Sequence, residues 1–237
     1  MLSERSLDAV AKVNYINIEN VYPLTYAALY DQASEYRRKK ADKYNKQEDA
    51  LMCILSEAML RYALKQNGLD PLLLPQKDSN GKPFIEGEKF KFNVSYAGKF
   101  VAIAYSEREI GIDVDRIFMD SGRELVAKYY YTETEYDEIF KDGIEENNAL
   151  QFAQIWTMKE SYLKYLGTEK NRPLASFSAD RTKGIVTDRD GTIIKGVRLR
   201  SAFPDDDHCI SVCFEDTDVE FYEITVDELL DALGITK

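Results

Sequence analysis

Residues 90–115 read FKFNVSYAGKFVAIAYSEREIGIDVD. Phe90, Phe92 and Val94 alternate with Lys91, Asn93 and Ser95, the two-residue period of a strand with one face buried. Ala97-Gly98-Lys99 has turn composition, and Phe100 to Tyr105 is a second apolar run of strand length. After a short turn near Glu107, Ile110-Gly111-Ile112-Asp113-Val114-Asp115 forms a third. Three strands joined this closely predict an antiparallel meander.

Upstream, residues 12–18 alternate in the same way. A helix is expected over about 24–44. A second follows over about 47–67, with Leu51, Met52, Leu55, Ala58, Met59, Tyr62 and Ala63 at helical spacing and Gly68 as its stop. Asp78-Ser-Asn-Gly-Lys-Pro83 is a turn by composition. Downstream the pattern turns helical from Ser121, and Thr132-Glu-Thr-Glu135 offers a capping box. A longer helix is expected over 147–166, and residues 177–222 read as strands and turns. Each half combines helices with antiparallel strands. The fold class is therefore α+β, with two subdomains, 1–116 and 117–237, meeting near residue 116.

Composition narrows the function. The 237 residues are 44% hydrophobic and 31% charged, a globular mixture, and the formal net charge of −11 argues against a nucleic-acid partner. Against that acidic background, Arg37, Arg38, Lys39, Lys40, Lys43 and Lys46 form a basic cluster. It reads either as a solvated helix face or as the rim of a pocket for a phosphorylated ligand. The three cysteines, Cys53, Cys209 and Cys213, lack zinc-type spacing, and a reducing cytoplasm is expected. No apolar signal core follows Met1 to Arg5 and no run is long enough to span a bilayer, so no membrane partner is expected. His208 is the lone histidine and follows Asp205-Asp206-Asp207 in what reads as a surface loop. No serine nucleophile elbow accompanies it, which excludes a Ser-His-Asp hydrolase.

Two constellations carry chemistry. Asp113 and Asp115 are two apart, so in a strand they share one face. Alone they read as a solvent-exposed strand end or a turn, but Ile110, Gly111, Ile112 and Val114 make the strand apolar, and carboxylates at the end of a buried strand need a partner. Trp156-Thr-Met-Lys-Glu160-Ser-Tyr-Leu-Lys164 lies on the helix whose apolar face is Phe152, Ile155, Trp156, Leu163 and Leu166. Glu160 and Lys164 are one turn apart there, which alone is an ordinary surface pair. Together, three carboxylates make an oxygen-rich site of the kind magnesium takes, and a nearby lysine with the upstream basic cluster would hold phosphates. That combination suits phosphoryl transfer.

These segments resemble the larger, surfactin-synthetase-activating group of the 4'-phosphopantetheinyl transferase superfamily. Phe92-Asn-Val-Ser95-Tyr-Ala-Gly98 is similar to the family's Phe-Asn-Ile-Ser-His-Ser-Gly, and Gly111-Ile-Asp113-Val-Asp115 to its Gly-Ile-Asp-Ile-Glu. Trp156-Thr-Met-Lys159-Glu160-Ser161, with Lys164 after it, is similar to Trp-Ser-Met-Lys-Glu-Ser and its downstream lysine. Gly81-Lys82-Pro83, Ala127 to Tyr131 with Glu135, and Pro173-Leu174 with Phe177 are weaker echoes. The resemblance spans about residues 34–177.

It implies a pseudo-twofold pair of α+β halves with the site in the cleft between them. It also implies transfer of the phosphopantetheine arm of coenzyme A to a serine of an apo acyl or peptidyl carrier protein, with release of 3',5'-ADP. Asp113, Asp115 and Glu160 would bind Mg²⁺ with the pyrophosphate of the coenzyme. Lys164 would neutralise the leaving phosphate, and Glu160 or a metal-bound water would take the serine proton. Lys82, Ser95 and Tyr96 would contact the coenzyme, and Arg37 and Lys40 would face its 3'-phosphate. A monomer is expected, because both halves lie in one chain.

Three positions depart from the family pattern. Tyr96 stands where it has histidine, Asp115 where it has glutamate, and Gly167 is followed by Thr-Glu-Lys-Asn-Arg without the family's second glycine. Tyr96 keeps open an alternative, a non-catalytic module that binds coenzyme A or a carrier protein. The presence of Asp113, Asp115, Glu160 and Lys164 together weighs against it. A metal-dependent nucleotide enzyme of another kind would call for a glycine-rich phosphate loop, which the sequence lacks. Segment 124–140, with Leu125, Tyr129, Tyr130 and Phe140, is either part of the core or a docking face for an acidic carrier.

Overall fold

The computed structural model describes residues 10–141, 147–167 and 172–236. Along the chain, β1 (Val10–Asn17) leads to helices α1 (Pro23–Gln32), α2 (Glu35–Ala41) and α3 (Gln47–Gln66). A small hairpin, β2 (Gln76–Lys77) and β3 (Pro83–Phe84), precedes β4 (Lys91–Ala97), β5 (Phe100–Ser106) and β6 (Ile110–Arg116). Then come α4 (Ser121–Tyr130), α5 (Glu133–Phe140) and α6 (Asn148–Leu166). The last part holds β7 (Phe177–Asp180), β8 (Ile185–Asp188), β9 (Arg198–Asp205), β10 (His208–Phe214), β11 (Asp218–Glu223) and α7 (Val226–Leu233).

Two sheets organise the molecule. One has the order β11-β1-β5-β4, with β1 parallel to β11 and the other pairs antiparallel. The other is antiparallel, β6-β10-β9. The strand period of two sorts their side chains into layers. Val101, Ile103 and Tyr105 of β5 pack under α3 and α7, while Phe100, Ala102 and Ala104 turn to the other side. There, with Ala11 and Val13 of β1, they meet Ile110, Ile112 and Val114 of β6 and Ile210, Val212 and Phe214 of β10. The small alanines let the two sheets approach. The remaining face of β6 and β10, with Gly111, Asp113, Ser211 and Cys213, lies against α6. The layers therefore run helix, sheet, sheet, helix, and the fold is α+β.

The structure differs from the sequence reading at four places. The helix expected over 24–44 is two helices, because Ser34 breaks it and caps α2 by accepting from the Arg37 amide. Glu57 of α3 fixes the break by accepting from the amide and hydroxyl of Ser34 at 2.7 and 2.6 Å. The third strand of the expected meander leaves the first sheet: β6 pairs with β10, not β5. His208 is buried, not a surface loop residue; its Nδ1 lies 2.9 Å from Asp205 and its ring edge meets Phe100. It fills the space over Gly98 (φ +55°), where an added Cβ would fall 2.1 Å from Nε2. Of the four residues singled out in segment 124–140, Leu125, Tyr129 and Tyr130 of α4 are exposed and Phe140 packs into a core. Residues 1–9 and residues 168–171, the stretch that lacks the second glycine, lie outside the described residues.

Candidate active site

Asp113 sits on the face of β6 turned toward α6, at the seam between the two sheets. β6 approaches the free edge of β4 through side chains instead of a backbone ladder: Asn93 accepts from the Ile112 amide at 3.1 Å and Ser95 from the Val114 amide at 3.3 Å. The Phe-Asn-Val-Ser stretch thus supplies the polar groups that join one sheet to the other. On the opposite side, Gly111 lets α6 come close. A Cβ there would lie 2.2 Å from the Ser161 carbonyl oxygen and 2.3 Å from the Tyr165 nitrogen.

This close packing delivers Lys164 to Asp113. Its Nζ lies 2.6 Å from Asp113 Oδ1 and 3.1 Å from Ser95 Oγ, and the Ser95 hydroxyl donates to the same carboxylate at 3.0 Å. Burial pushes the Asp113 carboxyl above the usual carboxylate range, with Asp115 adding to that and Lys164 and Ser95 opposing it. Asp115 emerges at the strand end, where Arg123 of α4 holds it at 2.8 Å. Glu160 is half-buried on α6. The Tyr131 phenol is kept protonated first by burial and then by Glu135; Arg123 opposes this, and Asp115 and Glu160 add to it. Asp115, Glu160 and Arg123 are each close enough to act electrostatically on this phenol.

A cavity of about 850 Å³ opens beside this ion pair, with Lys164, Asn93 and Tyr96 on one wall and Arg37, Lys40 and Arg61 from the helical layer on another. Arg37 and Lys40 thus leave the solvated part of the basic cluster, in which Lys39 pairs with Glu35 at the surface. The buried carboxylate of Glu57 braces the arginines, 2.8 Å from Arg61 and 3.6 Å from Arg37. Tyr96 stays a neutral phenol: burial raises its pKa, as does the neighbouring Tyr44.

Two expected contacts are placed differently. Ser95 faces Asp113 and is absent from the cavity wall. The ammonium of Lys82 is taken up by Glu109 and the Tyr165 carbonyl oxygen, both at 2.6 Å, so it ties the β2–β3 hairpin to the end of α6. Its neighbours Gly81 and Pro83 line the cavity. Lys159 is wholly buried and bonds Glu135 at 2.6 and 2.9 Å, with the Phe177 carbonyl oxygen as a third partner. It is the fastener that holds α6 to α5 and β7. The sequence reading missed Asn93, Gly111, Arg61 and Arg123. A polar Asn93-x-Ser95 pair on one strand face and a glycine inside an apolar strand were the signals available for the first two.

As a donor set, Asp113, Asp115 and Glu160 suit a hard cation such as Mg²⁺, being carboxylates without a soft ligand among them. Among the described residues, no three His, Cys, Asp or Glu side chains stand together in a group that could hold an ion. Lys164 and Arg123 are the counter-charges of Asp113 and Asp115 in this structure. Cation binding would require both to yield.

Residues 109–213, which include β6 and α6, match the family model of the 4'-phosphopantetheinyl transferase superfamily. A 4'-phosphopantetheinyl transferase of Bacillus subtilis is 31% identical over 148 residues, covering 61% of this chain and 65% of the relative. Over these residues the chain is similar to the 4'-phosphopantetheinyl transferase superfamily. The 4'-phosphopantetheinyl transferase gsp of Aneurinibacillus migulanus is 30% identical over 158 residues, 65% of each chain. A phosphopantetheinyl transferase of Thraustochytrium is 27% identical over 207 residues, 80% of this chain and 71% of the relative. The match thus spans just under two thirds of the two bacterial members of the superfamily.

Proposed function

We propose that the chain transfers the 4'-phosphopantetheine arm of coenzyme A to a serine of an apo acyl or peptidyl carrier protein. The observation that carries this reading is the Lys164–Asp113–Ser95 cluster beside a cavity whose other wall presents Arg37 and Lys40. An elongated ligand anionic at both its middle and one end matches that distribution of charge. Arg37 and Lys40 would take the 3'-phosphate and Lys164 the pyrophosphate, while the neutral Tyr96 hydroxyl would hydrogen-bond to the coenzyme. Lys82 would act through the hairpin it anchors.

In the reaction, the carrier serine oxygen forms a bond to the β-phosphorus of coenzyme A, and the bond from that phosphorus to the bridging oxygen breaks. 3',5'-ADP leaves, with Lys164 offsetting the charge on its terminal phosphate. Glu160, half-buried on α6, would receive the serine proton. Asp113, Asp115 and Glu160 would hold Mg²⁺, which when bound supplies positive charge to the pyrophosphate oxygens.

In this reading the subdomains 1–116 and 117–237 flank the cleft as pseudo-equivalent halves within a cytosolic monomer. Among the described residues, no helix is long and apolar enough to cross a membrane. The exposed Leu125, Tyr129 and Tyr130 of α4 would offer the carrier an apolar face. Chromatographic detection of 3',5'-ADP, formed only when apo carrier, coenzyme A and the chain are combined, tests the reaction. Tight coenzyme A binding without product would favour the non-catalytic alternative that Tyr96 suggests.

A further inference from the structure

Asp115 has a counter-ion that neither of the chain's two carboxylate motifs contains. Arg123 lies in the first turn of α4, where its backbone amide donates to Asp120 at 2.8 Å, fixing where its side chain starts. Its Nη2 reaches Asp115 Oδ2 at 2.8 Å, and its guanidinium stacks 3.8 Å from the centre of the Phe118 ring and 5.0 Å from that of Phe152. The two side chains retain 13% and 22% of their exposure. Arg123 Nη1 is buried and makes no hydrogen bond. A buried donor left unsatisfied carries a desolvation cost that an ion pair built only for stability would remove. The aromatic platform holds the guanidinium in place even when Nη2 lets go, because the stacking contact does not depend on Asp115.

We propose that Arg123 is a positioning residue: it holds Asp115 as a counter-charge, and a divalent cation competes with it for that carboxylate. Arg123 thereby sets how tightly the cation binds when no coenzyme is added. This rests on reading Asp113, Asp115 and Glu160 as the cation site. Guanidinium and cation compete for one carboxylate, so removing the guanidinium strengthens cation binding. In a merely structural role its removal would loosen Asp115 and weaken binding.

The test is a titration of the intact chain with Mn²⁺ as the probe, without coenzyme, with free Mn²⁺ read by electron paramagnetic resonance. Arg123→Gln is expected to bind Mn²⁺ about tenfold more tightly than the wild type, equivalent to about 1.4 kcal/mol. Arg123→Lys, which keeps the charge, should stay near the wild type. The double variant Asp115→Asn/Arg123→Gln should lose the gain. Should Arg123→Gln fail to fold by circular dichroism, Arg123→Met decides in its place: it keeps an apolar side chain against the Phe118 and Phe152 rings without the charge, and it too should bind Mn²⁺ about tenfold more tightly. Equal or weaker binding by folded Arg123→Gln, a gain that survives Asp115→Asn, or no Mn²⁺ binding by any form overturns the proposal. A wild-type chain that shows the predicted pattern but transfers no phosphopantetheine would refute the proposed reaction and leave the role of Arg123 standing.

Discussion

Replacing Lys159 by methionine separates a structural lysine from a chemical one within the Trp-x-x-Lys-Glu-Ser segment. Lys159 is fully buried, and burial pushes its pKa below the ordinary lysine value while Glu135 resists that shift. Methionine fills similar volume but removes the charge, leaving the buried Glu135 carboxylate with donors from the Thr132 amide, the Thr132 hydroxyl and the Ala179 amide. Breaking a buried ion pair by removing one partner costs about 3–5 kcal/mol. Three surviving donors put the loss near the lower end, about 3 kcal/mol, a large part of the roughly 5–15 kcal/mol of a typical domain. With a urea slope of about 3 kcal/mol per molar, the midpoint should fall by about 1 M. Trp156 is the lone tryptophan and its ring neighbours those of Tyr131 and Phe152, so its fluorescence reports on this region of α6. Adding Glu135→Gln, which neutralises the stranded carboxylate, should recover about 1–2 kcal/mol. A Lys159→Met protein with a wild-type midpoint but no transfer activity would refute the structural assignment and place Lys159 in the chemistry.

Three further outcomes are expected. Gly111→Ala forces β6 and α6 apart, because the new methyl group meets backbone atoms of α6; it should cost about 1–3 kcal/mol by thermal unfolding and displace Lys164 from Asp113. Arg37→Ala and Lys40→Ala should each weaken coenzyme A binding by about tenfold while barely changing dephospho-coenzyme A, as measured by calorimetry. Four hydrogen bonds from Thr182 and Lys183 outweigh burial and lower the Asp180 carboxyl to about 2, below its unfolded value. A lowered carboxyl stabilises above its unfolded pKa, so the contribution should be present at pH 7 and disappear between about pH 4 and pH 2. Asp180→Asn should erase that part of the acid-unfolding profile.

Much of the fold was legible because its signals are local. The alternation in β1, the apolar run of β5, the helical spacing in α3 and the Thr132–Glu135 box each depend on residues within one element, and each falls in an element of the expected type. What escaped depends on pairing across the chain. Nothing inside Ile110–Asp115 distinguishes a partner in β5 from one in β10, a hundred residues later. The return of β11 alongside β1 is equally remote. His208 misled because an acidic run normally marks solvent, whereas here Asp205 turns back to bond the ring. At the site, residue types were readable and their partners were not: Lys82 meets Glu109, and Asp115 meets Arg123 from a helix with no motif of its own.

The central claim is that the cleft holding Asp113, Glu160 and Lys164 transfers phosphopantetheine. Intact-protein mass spectrometry of apo carrier proteins incubated with the chain, coenzyme A and Mg²⁺ tests it most directly, with EDTA, Asp113→Ala and Glu160→Gln as controls. A mass gain of one phosphopantetheine arm is expected on at least one carrier, lost in all three controls. An unchanged carrier mass despite coenzyme A binding, or a gain that survives both substitutions, would contradict it.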